Sequence, residues 1–283
     1  MSANSKLEAL RNKIRALEAQ RLDSSVTARV LPFADERLNA PFPDGGLQIG
    51  ALHEFCAWGL ERELTAGVTA FAATVAANLL RFHDGFILWA ASQANCYPPG
   101  LICFGLPTSR IIWVDCLKDA EVLSVMEEAL HSRSLTAVLG EAATLSLKMG
   151  RRLYAAARHS NIPALLIRRY YCKPSKIGDS PSGAATTRWR VSAVARDALI
   201  PPHPVPLHSG ERAGLRGDLE PGLGLPRWRL DLEYCRNGRT ASWIVEASDG
   251  ATGSNGKAGH VRVVAELCDD AYPFEEAPSR ETA

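Results

Sequence analysis

Gly67-Val68-Thr69 stands where a chain of this kind would hold a triphosphate. It closes the segment AWGLERELTAGVTAF and opens a helix after an apolar run. Phosphate loops use glycines to turn backbone N–H groups toward the anion. They add a lysine for the β- and γ-phosphates and a Ser/Thr hydroxyl for magnesium. Thr69 could hold a metal and Gly67 permits close approach, but Val68 carries no charge. No lysine occurs between Lys13 and Lys118, and Glu61 and Glu63 would repel a triphosphate. Losing a positioned cation in such a site costs several kcal/mol of transition-state stabilisation. The bland reading is a structural strand–loop–helix turn, and weak nucleotide binding is the other.

Two further positions lack the expected groups. The strand Leu135–Leu139 is followed by Gly140, where an acid would hold Mg²⁺ through water; Glu141 comes one residue later. After Gly85–Ala90 (GFILWA) comes Ala91-Ser92-Gln93, with no carboxylate to activate water. Asp44, His53, Asp115 and His131 are isolated, and neither Gly-x-Ser-x-Gly nor HExxH occurs. The expectation is a protein that is not an enzyme, with no catalytic residues, resident cofactor or metal.

The basic aromatic strands are the other signal. Arg188-Trp189-Arg190 and Arg227-Trp228-Arg229 repeat one pattern. Alternation puts each arginine pair on one face and each tryptophan on the other. With Arg236 and Arg239 at a turn, these arginines form a candidate stripe for DNA phosphates or an acidic partner. Arg168-Arg169-Tyr170-Tyr171 would extend it. The plain alternative puts the tryptophans in a core and the arginines on a solvated face.

The elements that must position these residues alternate. Leu52–Ala57, Gly85–Ala90, Arg110–Asp115, Leu135–Glu141 and Ile162–Arg168 are short apolar strands. Helical stretches at Thr69–Arg81, Asp119–His131 and Ser146–His159 lie between them. Strands apolar on nearly every residue, alternating with helices, imply a parallel sheet covered on both faces. Thr187–Val194, Arg227–Cys235 and Thr240–Glu246 alternate cleanly, and Asn237-Gly238 is a strong hairpin signal. They imply antiparallel additions at one edge of the sheet.

The expected organisation is an amphipathic helix within 1–28, an α/β core over 29–199 and a Pro/Gly-rich excursion over 200–226. A hairpin over 227–247 completes the sheet, and 248–283 is a linker with an edge strand at His260–Leu267 and a tail. Leu7, Leu10, Ile14 and Leu17 give the first helix its apolar stripe, facing either a partner or the core.

With 283 residues and 46% apolar content, the chain can bury a large core. A net charge of +1 means that any nucleic-acid contact must be local. Seven cysteines without a CxxC pair argue against a disulfide framework or zinc site and suit a reducing cytoplasm. The N-terminus has no apolar signal region. The longest mostly apolar stretch, 64–80, is interrupted by Thr65, Thr69, Thr74 and Asn78, so no membrane span is expected.

The order of elements resembles the RecA/RadA recombinase core, through Pro43-Asp44-Gly45-Gly46-Leu47-Gln48-Ile49-Gly50 and strand-end Glu54. More closely, the chain resembles the ImuA family, the RecA-like and SulA-like members of the bacterial ImuA–ImuB–second DnaE mutagenesis cassette. The shared marks are GGLQIGALHEF, FILW, Tyr97-Pro98-Pro99-Gly100-Leu101, Phe104-Gly105-Leu106 and Met126–Leu130. They continue with Leu139-Gly140-Glu141, Thr187–Val191 and PRWRLDLEYCRNGR…SWIVE, and together they span 5–247. The resemblance implies a RecA-like, P-loop NTPase-type α/β fold and a role in damage-induced translesion synthesis. Its implied partners are an ImuB-like Y-family protein and an error-prone DnaE polymerase, with RecA and DNA as further candidates. The implied location is cytoplasmic, at the nucleoid when acting. A missing loop lysine is normal for the group. Recombinases carry basic residues near the C-terminal hairpin that reach a neighbouring subunit's ATP, and Arg236 and Arg239 are expected in the comparable place. The alternatives are a recombinase-like DNA-dependent ATPase and a SulA-like cell-division inhibitor.

Overall fold

The computed structural model describes residues 30–57, 65–93, 96–132, 134–169, 183–194, 225–247 and 261–267. The expected N-terminal helix, most of the 200–226 excursion, the 248–260 linker and the tail beyond Leu267 lie outside the described residues.

Eleven strands are described: β1 (Val30–Leu31), β2 (Leu47–Gln48), β3 (Leu52–Ala57), β4 (Phe86–Ala91), β5 (Ile111–Asp115), β6 (Leu135–Ala142), β7 (Ala164–Arg168), β8 (Thr187–Ala193), β9 (Arg227–Cys235), β10 (Ala241–Ala247) and β11 (Val261–Leu267). The helices are α1 (Glu36–Asn39), α2 (Thr65–Phe82), α3 (Asp119–Leu130) and α4 (Leu147–Ser160), with a 3-10 helix at Pro98–Phe104. Nine strands form one sheet in the order β11-β10-β9-β8-β3-β7-β6-β4-β5. The run β8-β3-β7-β6-β4-β5 is parallel, and β9, β10 and β11 add antiparallel beyond β8. A mostly parallel sheet flanked by helices, with antiparallel strands at one edge, is the architecture that the sequence pattern implies.

Every residue of β3 is buried, which fits its place inside the sheet with both faces covered. On one face lies α2. Its alanines 70, 72, 73, 76 and 77 are buried and let the helix sit close to the strands. On the same face, residues 30–50 wrap over the antiparallel half, and Phe33 and Phe42 pack on Trp189 at centroid distances of 5.9 Å each. On the other face α3 and α4 cover β4, β6, β7 and β3 through Leu123, Met126, Leu153 and Ala157.

The caps are local. Ser146 accepts a hydrogen bond from Met149 N at 3.3 Å to start α4, and Asn161, in the left-handed region at φ 58°, ends it. The edge strand β11 is closed by α1: Asp35 accepts from Val263 N at 2.9 Å, and Arg37 donates to Val263 O at 2.8 Å. The Arg37 guanidinium and the backbone donors hold the Asp35 carboxyl down at about 2.

His53 is buried on the α2 face. Its Nε2 donates to Gln48 O at 2.8 Å, and its Nδ1 accepts from the Thr187 hydroxyl at 2.8 Å; Trp189 Nε1 donates to the same Thr187 oxygen at 3.1 Å. This chain fixes a neutral imidazole, and burial pushes its pKa down to about 4 from an ordinary 6.5. The unfolded chain therefore binds a proton near pH 6.5 that the folded chain refuses until about pH 4. Stability falls as pH falls through that window, by about 3 kcal/mol from this group at most. Urea unfolding of His53→Gln between pH 7 and 4 is expected to show a shallower loss of stability than the parent, whatever its absolute stability. Identical slopes would refute the assignment.

Candidate functional site

In open α/β sheets ligands gather beyond the carboxyl ends of the strands. Here that end carries the last residues of β3, the start of α2, Glu141, Arg169, and the beginning of β9.

Gly67 and Val68 lie in the first turn of α2, where the loop reading places them. Val68 is fully buried in the core. A side chain added at Gly67 would touch the Trp228 ring at 3.6 Å, and backbone Ala193 N at 4.0 Å. Trp228 packs in turn on Phe71 and Phe104. The first turn of this helix therefore faces indole and strand backbone, and the position of the missing lysine points into hydrocarbon. Thr69, one residue on, is half-buried.

Glu141 faces the α2 side at the end of β6, as a metal-holding acid would, but its oxygens are engaged. Oε1 accepts from Trp89 Nε1 at 2.6 Å. Oε2 accepts from Arg169 Nε at 2.8 Å and pairs with Arg169 Nη2. Arg169 also donates to Gln93 O at 3.1 Å. Glu141 and Arg169 are both about 95% buried at the side chain. Gly140 faces the other way. A side chain there would collide with Met126 of α3, which sits directly on the strand. The blank at 140 thus has a packing cause.

The four strand arginines share one face, opposite α2, as alternation implies, and each meets an acid. Arg188 Nε lies 3.1 Å from Glu54, Arg190 pairs with Glu233, Arg227 Nε lies 3.1 Å from Glu246 and Arg229 Nε lies 3.0 Å from Asp231. Arg262 joins Glu246 at 3.1 Å, and Arg168 Nη1 lies 3.7 Å from the fully buried Glu54. This is a mixed-charge lattice. Phosphate binding would have to break these pairs, whereas a partner with both signs could exchange with them.

Arg236 and Arg239 do not join those ion pairs. Arg236 stacks over the Tyr154 ring of α4 at 4.7 Å and donates to Ala184 O at 3.2 Å. Arg239 reaches the opposite side and donates to Ala40 O at 3.3 Å. Their turn neighbours Thr187, at the amino end of β8, because Thr187 pairs with Cys235. The phosphate loop follows the other end of β3, about 20 Å away along the strands. Within one chain, therefore, neither arginine lies near the start of α2. The five-residue connection between β9 and β10 leaves the tip at the amino end of β8. Arg168 meets Arg188 across Glu54, whereas Arg169 leaves that face and pairs with Glu141. Adjacent on an extended chain, they turn to opposite faces and are buried.

Of the isolated groups, Asp44, Asp115 and His131 are exposed and His53 is a core member. Sequence reading missed Asp119. Its carboxylate accepts from Ala143 N at 2.7 Å and Thr144 N at 3.3 Å, tying the start of α3 to the turn after β6. Nothing in its spacing signals that long-range contact. The Glu141–Arg169 pair was more legible, since each residue stands two positions past the last apolar residue of a strand run. Among the described residues, no group of three or more His, Cys, Asp or Glu could hold a metal ion. None of the described helices is long and apolar enough to cross a membrane.

The sheet order and the helix positions define a RecA-like fold. The RadB recombinase crystal structure superimposes with a TM-score of 0.52 at 14% identity, covering 77% of this chain and 96% of that one. The chain is 34% identical to Protein ImuA of Caulobacter vibrioides strains NA1000 and CB 15 over 256 residues, 89% of this chain and 95% of theirs. It belongs to the ImuA family. A shorter stretch of 83 residues, 29% of the chain, is 34% identical to the cell division inhibitor SulA of Photorhabdus laumondii and covers 47% of it. No family model matches the chain.

Two substitutions probe this end of the sheet. Val68→Lys restores the loop's consensus cation on paper. At a fully buried position it is expected to destabilise by several kcal/mol in urea unfolding, without producing nucleotide-dependent stabilisation. Tight ATP binding by a folded Val68→Lys protein would contradict the packing account. Glu141→Ala leaves the Arg169 charge buried and unpaired, so a loss of about 3–5 kcal/mol is expected. Loss of less than about 1 kcal/mol would show that the pair contributes little.

Proposed function

We propose that this chain is a non-catalytic, RecA-like accessory of damage-induced mutagenesis. It acts in translesion DNA synthesis with an ImuB-like Y-family protein and an error-prone DnaE polymerase. RecA and DNA are further candidate contacts, in the cytoplasm and at the nucleoid. One observation carries the non-catalytic part: Val68, where a phosphate-holding lysine would stand, is buried in the core. With Glu141 engaged by Arg169 and Trp89, neither the cation nor the metal-holding acid of a nucleotide engine is presented. What the fold offers instead is surface. The Arg/Asp/Glu lattice on β8–β11 suits a protein partner of mixed charge better than a phosphate backbone, which needs unneutralised cations.

The partial match to SulA supports a second reading, a division inhibitor, which predicts filamentous cells on overexpression. The first reading predicts co-purification of the tagged full chain with the Y-family protein or the polymerase from damage-treated cells. It also predicts loss of induced mutagenesis on deletion, with Thr69→Ala as active as the parent. Absence of both association and mutagenesis phenotype would sink it. Mg²⁺-dependent ATP turnover abolished by Thr69→Ala would return the ATPase reading.

A further inference from the structure

The arginines described on β8–β11 all meet carboxylates. Those of α4 divide. The helix, LKMGRRLYAAARHS, has no Asp or Glu of its own. Arg152 turns toward α3 and pairs with Glu127 at 2.6 Å. Arg151, Tyr154 and Arg158 follow one another at spacings of three and four, so they share the side away from that pair. Arg151 is exposed, and its side chain makes no hydrogen bond or ion pair with a described residue.

Tyr154 gathers two further charges on this side. Arg158 Nη1 donates to its hydroxyl at 2.8 Å. Arg236, from the turn between β9 and β10, lays its guanidinium over the ring at 4.7 Å and donates to Gly183 O at 3.3 Å and Ala184 O at 3.2 Å. A hydroxyl, a ring and two carbonyls hold these side chains in place without cancelling their charge. Among the described residues no acid pairs with Arg151, Arg158 or Arg236. Arg158 also stands in the last turn of α4, where a cation favours the helix dipole. Arg151, two turns earlier, has no such structural role.

Uncancelled guanidiniums on one side of a helix suit phosphates, whose oxygens accept forked N–H donors. The helix rises about 10 Å from Arg151 to Arg158, the length of about three phosphates along one DNA strand. We propose that Arg151, Arg158 and Arg236 form a contact surface for the DNA backbone, apart from the ion-paired strand face. The choice of DNA among polyanions rests on the function proposed above. One face of the Tyr154 ring is capped by Arg236, and the ring packs on the core cluster beneath α3 and α4, so it offers no platform for a base. The contact is to phosphate alone and reads no sequence.

Fluorescence anisotropy of labelled duplex DNA with the full chain tests this. The parent is expected to bind without sequence preference, with a Kd in roughly the micromolar range. Three phosphate contacts predict a loss of about 40-fold in affinity between about 50 and 200 mM salt. Arg151→Ala is expected to keep the parent's Tm, raise the Kd at least about fivefold and lower the salt slope by about one. Arg151→Lys, which keeps the charge, is expected to retain the slope. Arg152→Ala, on the α3 side, is expected to leave it unchanged. Arg151→Ala with the parent's Kd and slope overturns the proposal. So does a parent that binds no DNA at about 100 μM and low salt. Polyglutamate that displaces the labelled DNA as well as an equal charge of unlabelled DNA overturns the assignment to nucleic acid and gives the surface to an acidic protein. Failure to co-purify with the proposed protein partners counts against the function above and leaves this surface standing.

Discussion

The close seat of α2 on the sheet is the constraint on which the remaining features depend. Its buried alanines and Val68 bring the helix against β3 and β8, and Gly67 leaves room for the Trp228 indole over its first turn. Phe71 is the centre of this contact, with the rings of Phe55, Trp189 and Trp228 all within 6.2 Å. A helix start that serves as an anion site must leave its N–H groups facing an open loop. Here the antiparallel strands are packed onto the same turn. A side chain cannot face both the core and a phosphate, and Val68 faces the core.

The opposite face solves a different problem. Beyond β3 it has no helix over it among the described residues, and most of its strand positions are charged. Arginines set opposite carboxylates satisfy one another, with Glu54 deepest between Arg168 and Arg188. Such buried ion pairs add little net stability over a hydrophobic equivalent, since desolvation offsets much of the attraction. They are costly to misalign, however. A one-residue slip of β8 against β3 would turn Arg188 into the aromatic core and Trp189 toward the charges. We therefore read the lattice as fixing register between the parallel and antiparallel halves of the sheet.

The carboxyl end of the sheet follows the same logic. Glu141, Arg169 and Trp89 form a buried polar group, with the Trp113 ring tilted against Trp89 at 5.1 Å. Asp119 fixes the turn after β6 from the start of α3. These contacts hold the scaffold at the place where related folds keep their chemistry. In this chain the RecA-like frame is kept while Glu141, Arg169 and Trp89 engage one another at this end.

The sequence by itself determined the strands, the helices and their class. Apolar runs such as GFILWA can be stable only between two covered faces, and the alternation in RWRLDLEYC can only put tryptophan and leucine on one side. Period and composition are local properties, and local physics reads them. The absence of a lysine at residue 68 was equally legible, being a matter of residue type. Only the tertiary structure decided the partners. Arg188 and Arg190 look free in sequence because Glu54 and Glu233 arrive from other strands, 134 and 43 residues away. The position of Arg236 and Arg239 is not legible either, because sequence does not say at which end of the sheet a hairpin turns. That end follows from the direction of β9 against β8, which is set by the long-range pairing of Thr187 with Cys235. Charge neutralisation and proximity depend on distance in space, and only the pairing of strands fixes that distance.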